Sequence, residues 1–130
     1  MKIRIYYHHT DCGGVVYYAN YLKFLEEART EFFEEKGLFM KDLIKKDILF
    51  VVARQEVDYK APAVYGDILE AKAWVSAASS VKLEFDQEIK NQDGKLINKA
   101  KTILVCVGKD LRPKAIPEEL KNKLCLTEKK

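Results

Sequence analysis

An α+β layer pair, with one long helix lying on a single antiparallel sheet, is the fold class that three features of this sequence predict. One stretch, from Ala19 to Lys36, repeats its apolar residues at helical spacing. Several others alternate apolar and polar side chains with period two, as half-buried strands do. Short turns separate most of those strands, and short turns join antiparallel neighbours.

The first element is a strand over residues 2–7, Lys-Ile-Arg-Ile-Tyr-Tyr, where apolar and charged side chains alternate on a β-branched and aromatic background. A polar, glycine-bearing loop leads from it to the helix. There Tyr21, Leu22, Leu25, Ala28, Phe32 and Phe33 are expected on the buried face, and Lys23, Glu26, Glu27, Thr30, Glu31 and Glu34 on the wet one. Asn20 is expected to cap the start, and Gly37 to take the left-handed position past the end. A short amphipathic piece over 38–45 precedes a strand over 48–60, whose first half is apolar on both faces and therefore reads as buried. Pro62, Gly66 and Asp67 punctuate the chain before two strands with one wet face each. In 68–77, Leu69, Ala71, Ala73 and Val75 oppose Glu70, Lys72 and Ser76. In 81–90, Val81, Leu83, Phe85 and Ile89 oppose Lys82, Glu84, Asp86, Glu88 and Lys90. Asp93-Gly94 turns the chain into a last strand over 96–107, and Pro117 with Glu118 and Glu119 opens a short helix.

At 130 residues, one domain over 1–130 is expected, without repeats or linkers. Hydrophobic residues at 48% and charged residues at 33% are the balance of a globular protein. No apolar run approaches the ~20 residues of a membrane helix, so no membrane insertion is expected. Met1-Lys2-Ile3-Arg4 enters strand-like sequence directly, and a cytoplasmic location follows as the expectation. Cys12, Cys106 and Cys125 are widely spaced and form no CxxC pair, which supports neither a disulfide framework nor a zinc site. The net charge of +3 is spread among interleaved lysines and acids, apart from the terminal Lys129-Lys130, so nucleic acid is not the expected partner. A mild basic excess favours an anionic small molecule instead.

The loop over 8–20, His-His-Thr-Asp-Cys-Gly-Gly-Val-Val-Tyr-Tyr-Ala-Asn, holds the candidate chemistry. A carboxylate and two glycines stand just before helix-starting amides. Glycines allow close backbone approach to a ligand, and free N–H groups at a helix start stabilise a developing oxyanion. Acyl transfer needs those parts. Asp followed by Gly-Gly is equally what an ordinary turn or cap looks like, and spacing alone leaves both readings open. His8 and His9 have no second ligand cluster elsewhere, and a strand edge would point their rings apart, so no metal is expected. A His-His-x-x-x-Asp acyltransferase motif fails because Asp11 follows the pair too soon.

Tyr6-Tyr7, Thr10-Asp11-x-Gly13-Gly14-Val15-Val16-Tyr17-x-Ala19-Asn20-Tyr21-Leu22 and Glu26-x-Ala28-Arg29-Thr30-Glu31 together resemble the signature of the 4-hydroxybenzoyl-CoA thioesterase family. That family includes the acyl-CoA thioesterases associated with the Tol-Pal system. The likeness continues through Asp58-Tyr59-x-x-Pro62, Gly66-Asp67 and Val105-Cys106-Val107 to Arg112-Pro113 and Ile116-Pro117. It implies a hotdog fold: a five-stranded antiparallel sheet wrapped around one long helix, assembled as a homodimer or homotetramer.

The resemblance further implies acyl-CoA as substrate, no cofactor, and Asp11 as the catalytic carboxylate, acting as general base or nucleophile. It implies the main-chain N–H of Tyr18 as oxyanion donor. Gly13, Gly14, Val16, Tyr17 and Asn20 are then the expected substrate-binding residues. Many members of the Tol-Pal branch carry an acid where His9 stands and a histidine where Tyr18 stands, whereas the 4-hydroxybenzoyl-CoA branch has tyrosine at the latter. Cys12 has no histidine base at a family position and is not expected as a nucleophile. Arg29 is expected to pair with a neighbouring acid in a structural role, Trp74 and the Phe residues to serve core and interface, and lysines with Arg112 to meet CoA phosphates. Short-to-medium aliphatic and aromatic acyl groups both fit. A non-catalytic acyl-CoA or acyl-carrier-protein binding module is the alternative, and would not need a carboxylate at position 11. A hydratase or dehydratase of the same fold is expected to carry a different Asp/His arrangement.

Overall fold

The computed structural model describes residues 1–125; Lys129 and Lys130 lie outside them. Strand β1 (Lys2–Arg4) is followed by helices α1 (Asn20–Glu35) and α2 (Met40–Lys45). Strands β2 (Leu49–Tyr59), β3 (Ile68–Ala78), β4 (Lys82–Lys90) and β5 (Leu96–Val107) come next, and α3 (Glu118–Cys125) is the last element of the described residues. The strands form one antiparallel sheet in the order β1-β3-β4-β5-β2. The expected α+β arrangement, one sheet around one long helix, is present.

Period-two alternation splits the sheet into two faces. Leu69, Ala71 and Val75 of β3 and Leu83, Phe85 and Ile89 of β4 are buried toward α1. Phe32 and Phe33 of the helix pack on Phe85, with ring centroids 5.5 and 5.9 Å away. The opposite face is ionic: Lys72 pairs in register with Glu88, Glu88 with Lys99 and Lys99 with Asp58, giving alternating signs across four strands. One row over, Lys101 reaches Asp86 at 3.0 Å and Glu84 at 3.4 Å. Gly37 ends α1 at φ 80°, the left-handed position expected of it.

Four expectations are corrected. The first strand stops at Arg4, and a 3-10 turn over Tyr7–His9 replaces its second half. Ile5 still pairs with the 66–67 turn, but β3 begins only at Ile68, so no ladder continues beyond it. Asn20 does not cap α1 with its side chain; Ala19 is the N-cap, and Asn20 Nδ2 donates to the His9 carbonyl at 2.8 Å. On the helix, Leu22 is 43% exposed, and the buried stripe takes in Phe24 and Arg29 instead, because positions 21, 24, 25, 28, 29 and 32 share one side of a 3.6-residue helix. The strand expected to be buried on both faces is an edge. β2 pairs only with β5, leaving Val51 39% and Val52 50% exposed.

Arg29 differs too. Only 6% exposed, its guanidinium donates to Gln87 Oε1 at 3.0 Å and Thr102 Oγ1 at 3.5 Å rather than to an acid. Gln87 Nε2 in turn donates to the Leu25 carbonyl at 2.9 Å, stitching helix to sheet. Burial lowers the guanidinium pKa, with the Glu26 charge acting the other way.

Candidate active site

The segment between β1 and α1 is a small hairpin. Thr10 bridges Val16 in antiparallel register, Asp11 N–H donates to Val15 O at 2.9 Å, and Tyr17 N–H donates to His9 O at 2.9 Å. At its tip Gly14 N–H donates to Asp11 O at 3.0 Å, and Gly14 adopts φ 86°, which L side chains rarely reach. Asp11 Oδ1 accepts Gly13 N–H at 2.8 Å, closing an Asx turn. The carboxylate is exposed, so its second oxygen is open to a ligand or water.

The hairpin is anchored on the loop before β3. Val16 N–H donates to Ala63 O at 2.8 Å, and Val15 bridges Val64. Ala63 N–H donates to the Tyr21 hydroxyl at 3.2 Å, which ties the same loop to the first turn of α1. Beyond the hairpin, Tyr18 sits just before the helix. Its carbonyl accepts Tyr21 N–H at 3.3 Å, while its own N–H meets no acceptor among the described residues. The Tyr59 hydroxyl lies 3.5 Å from Tyr18 O, and the Tyr18, Tyr21 and Tyr59 rings form an aromatic wall, with Tyr17 5.1 Å from Tyr18. Burial is the first cause raising the phenol pKa values of Tyr21 and Tyr59, so these groups stay neutral.

Asp11, Gly13 and Gly14 thus make up one turn, Val16 is buried as the hairpin's anchor, and Tyr17 and Tyr18 are exposed at its foot. Asn20 faces back to His9 rather than outward. His8 and His9 do not point apart: they lie on the 3-10 turn with ring centroids 4.0 Å from each other. Among the described residues no three His, Cys, Asp or Glu side chains converge as a metal set. Cys12 is exposed, and burial raises the pKa of Cys106. Arg112 is exposed on a turn after β5. Sequence reasoning missed Tyr59 as a neighbour of Tyr18, since nothing in its strand pattern indicates a loop 41 residues earlier. It also missed the Tyr7–Tyr65 stack, whose centroids are 4.1 Å apart. A cleft of 530 Å³ opens elsewhere, between the second half of α1 and β3, lined by Ala28, Phe32, Ala73 and Trp74.

Comparison with known proteins gives three findings. Residues 6–124 match the model of the thioesterase-like superfamily. The acyl-CoA thioester hydrolase YbgC of Escherichia coli is 37% identical over 119 residues, 91% of this chain and 89% of that protein, and the acyl-CoA thioesterase YbgC of Haemophilus influenzae is 36% identical over 122 residues, 92% and 88% respectively. Among solved structures, a 1,4-dihydroxy-2-naphthoyl-CoA thioesterase from Synechocystis superposes with a TM-score of 0.88 at 25% identity, covering 96% of this chain and 93% of that one.

Proposed function

This chain belongs to the thioesterase-like superfamily, as an acyl-CoA thioester hydrolase with the hotdog fold, and we propose that Asp11 and the main-chain N–H of Tyr18 carry its reaction. The observation that supports this most is what the segment before α1 leaves free: on the hairpin a carboxylate with one oxygen pinned and one open, and just beyond it a helix-start N–H without an acceptor among the described residues. An asparagine or serine would serve the turn equally well; only chemistry calls for the charge.

A thioester carbonyl has little resonance stabilisation, so a positioned base and one oxyanion donor suffice. As general base, Asp11 takes a proton from water while the oxygen attacks the acyl carbon. The oxyanion gathers on Tyr18 N–H, the C–S bond breaks, and the proton on Asp11 passes to the CoA thiolate. As nucleophile, Asp11 instead forms a mixed anhydride, which water then cleaves. Single turnover in H₂¹⁸O identifies the second route where water attacks the aspartyl carbonyl of the anhydride, since the general-base route never puts label in the Asp11 carboxylate. The aromatic wall of Tyr17, Tyr18 and Tyr59 flanks the acyl group in either case. No cofactor is required in either route.

The active unit is at least a homodimer, and a homotetramer contains the same pair. The β2 edge, eleven residues long, leaves Val51, Val52 and Tyr59 exposed, with Tyr59 beside Tyr18, and this is the apolar edge a second copy would cover. None of the described helices is long and apolar enough to cross a membrane, and three free thiols suit the reducing cytoplasm in which we place the enzyme. Released-thiol assays over a panel of aliphatic and aromatic acyl-CoAs test the reading. A chain that binds acyl-CoA without releasing thiol from any member would be the binding module instead.

A further inference from the structure

His9 is held on three sides. Its Nδ1 accepts Tyr6 N–H at 2.9 Å, which puts the neutral ring's proton on Nε2. Its carbonyl takes two donors, Tyr17 N–H at 2.9 Å and Asn20 Nδ2 at 2.8 Å. Its ring meets buried Phe24 edge-on, with centroids 5.3 Å apart and planes at 77°. One residue therefore joins the turn before Asp11, the hairpin arm that leads to Tyr18, and the first turns of α1.

We propose that His9 is a positioning residue for thioester hydrolysis: its neutral form clamps the Asp11 hairpin to the start of α1, and protonating the ring loosens that clamp and slows turnover. The proposal rests on the assignment of Asp11 and Tyr18 above.

The reason lies in the donor count. Imidazolium has no acceptor, so a proton on Nδ1 would face the Tyr6 N–H, replacing a hydrogen bond with two opposed donors. The charged groups facing the ring also oppose the cation. They are His8 on the same turn and Lys23 on α1, with the Arg4 guanidinium beyond, 5.3 Å from the Tyr6 ring centre. Asp11, the nearest carboxylate in sequence, gives one oxygen to Gly13 N–H and makes no hydrogen bond or ion pair with His9 among the described residues. Burial first, then His8 and Lys23, hold the His9 pKa below the ordinary histidine value. The clamp is thus complete at neutral pH and is lost as pH falls through that lowered value.

The test compares wild type, His9→Leu and His9→Asn by kcat and KM from about pH 5 to 8.5, alongside ¹⁵N ring spectra of His9 and exchange of the Tyr17 amide. In wild type, the acid limb of kcat should follow His9 titration, with Tyr17 exchange rising over the same range. His9→Leu should lose about tenfold in kcat at the alkaline end with KM little changed, the signature of misplaced chemistry rather than lost binding. His9→Asn, whose Oδ1 accepts the Tyr6 N–H without titrating, should recover at least half of that loss and show no acid limb tied to His9. Wild-type turnover in His9→Leu, or an unchanged limb in His9→Asn, overturns the proposal. If His9→Leu does not fold, the limb of His9→Asn decides alone. Should Asp11→Asn prove fully active, the Asp11 assignment fails by itself, and Tyr17 exchange against His9 titration still judges the clamp.

Discussion

The side chain of Asp11 turns back to accept the main-chain N–H of Gly13 at 2.8 Å, so one carboxylate oxygen is fixed by the turn and the other is left open. Asn at this position can make the same contact through its own Oδ1. Asp11→Asn should therefore fold and assemble normally, with stability changed by well under ~1 kcal/mol, as one turn-former replaces another. Turnover should drop about 10²–10⁴-fold, since the charge that accepts the proton is gone. Melting temperature and kcat measured on one preparation check both halves, and wild-type turnover in the variant would end the case for Asp11.

Gly13 offers a gentler perturbation of the same group. A methyl placed there would lie 3.2 Å from Asp11 Oδ1, tight enough to push the carboxylate by a few tenths of an ångström without removing its charge. Gly13→Ala should lower kcat about three- to tenfold while leaving folding intact, because small misplacements of a catalytic group are felt in rate. An unchanged kcat would mean that the position of this carboxylate does not matter.

The edge strand bears on assembly. Val52, 50% exposed on the face of β2 that pairs in register with buried Leu104, is expected to be covered by a second copy. Light scattering at micromolar concentration should find a species of at least twice 15.0 kDa for wild type, and Val52→Lys should shift it toward the single chain with loss of activity. A wild-type preparation containing only the 15.0 kDa species would sink the dimer.

Asp47 supplies a pH-dependent contribution away from the site. It sits at φ 65°, accepts Lys109 N–H at 2.7 Å through Oδ1, and lies 3.7 Å from Lys114 Nζ through Oδ2. The Lys109 N–H is the first cause holding its pKa below the ordinary aspartate value. A depressed carboxylate stabilises the fold above its unfolded pKa, and that contribution disappears as pH falls through the folded value. Asp47→Asn, which tolerates the same backbone, should melt below wild type at pH 6, with the gap closing in acid. A gap that stays constant with pH would assign the loss to geometry rather than charge.

Much of this architecture was legible from residue order alone. The β5 bounds fell where Asp93-Gly94 and the apolar alternation placed them, and α1 was misjudged by one residue at each end. What escaped was whatever depends on the partner across space. The apolar first half of β2 could not reveal that it ends up on an edge, since edge and centre differ only in the number of neighbouring strands. Arg29 looked like half of an ion pair, yet its acceptor is Gln87, 58 residues away, on a strand whose period merely called for something inward-facing. His9 reads as one residue of a polar loop, and nothing in the local pattern tells that its ring and carbonyl tie that loop to Tyr6, Tyr17 and Asn20. The Asp11 turn was visible because its chemistry is local.

The strand order β1-β3-β4-β5-β2 has a further consequence, which is kinetic. β3, β4 and β5 are consecutive and pair through short turns, so they close small loops and should form early. β1 and β2 come from the N-terminal half and must add to opposite flanks of that meander, bringing α1 and its hairpin between them. Pulse-labelled hydrogen exchange during refolding should protect the β4 amides first and the Val16 amide, bonded to Ala63, late. Early protection of Val16 would contradict this order. On this order the nascent chain emerges from synthesis with its reactive half first, yet that half gains its native surroundings only after the last strand has been made.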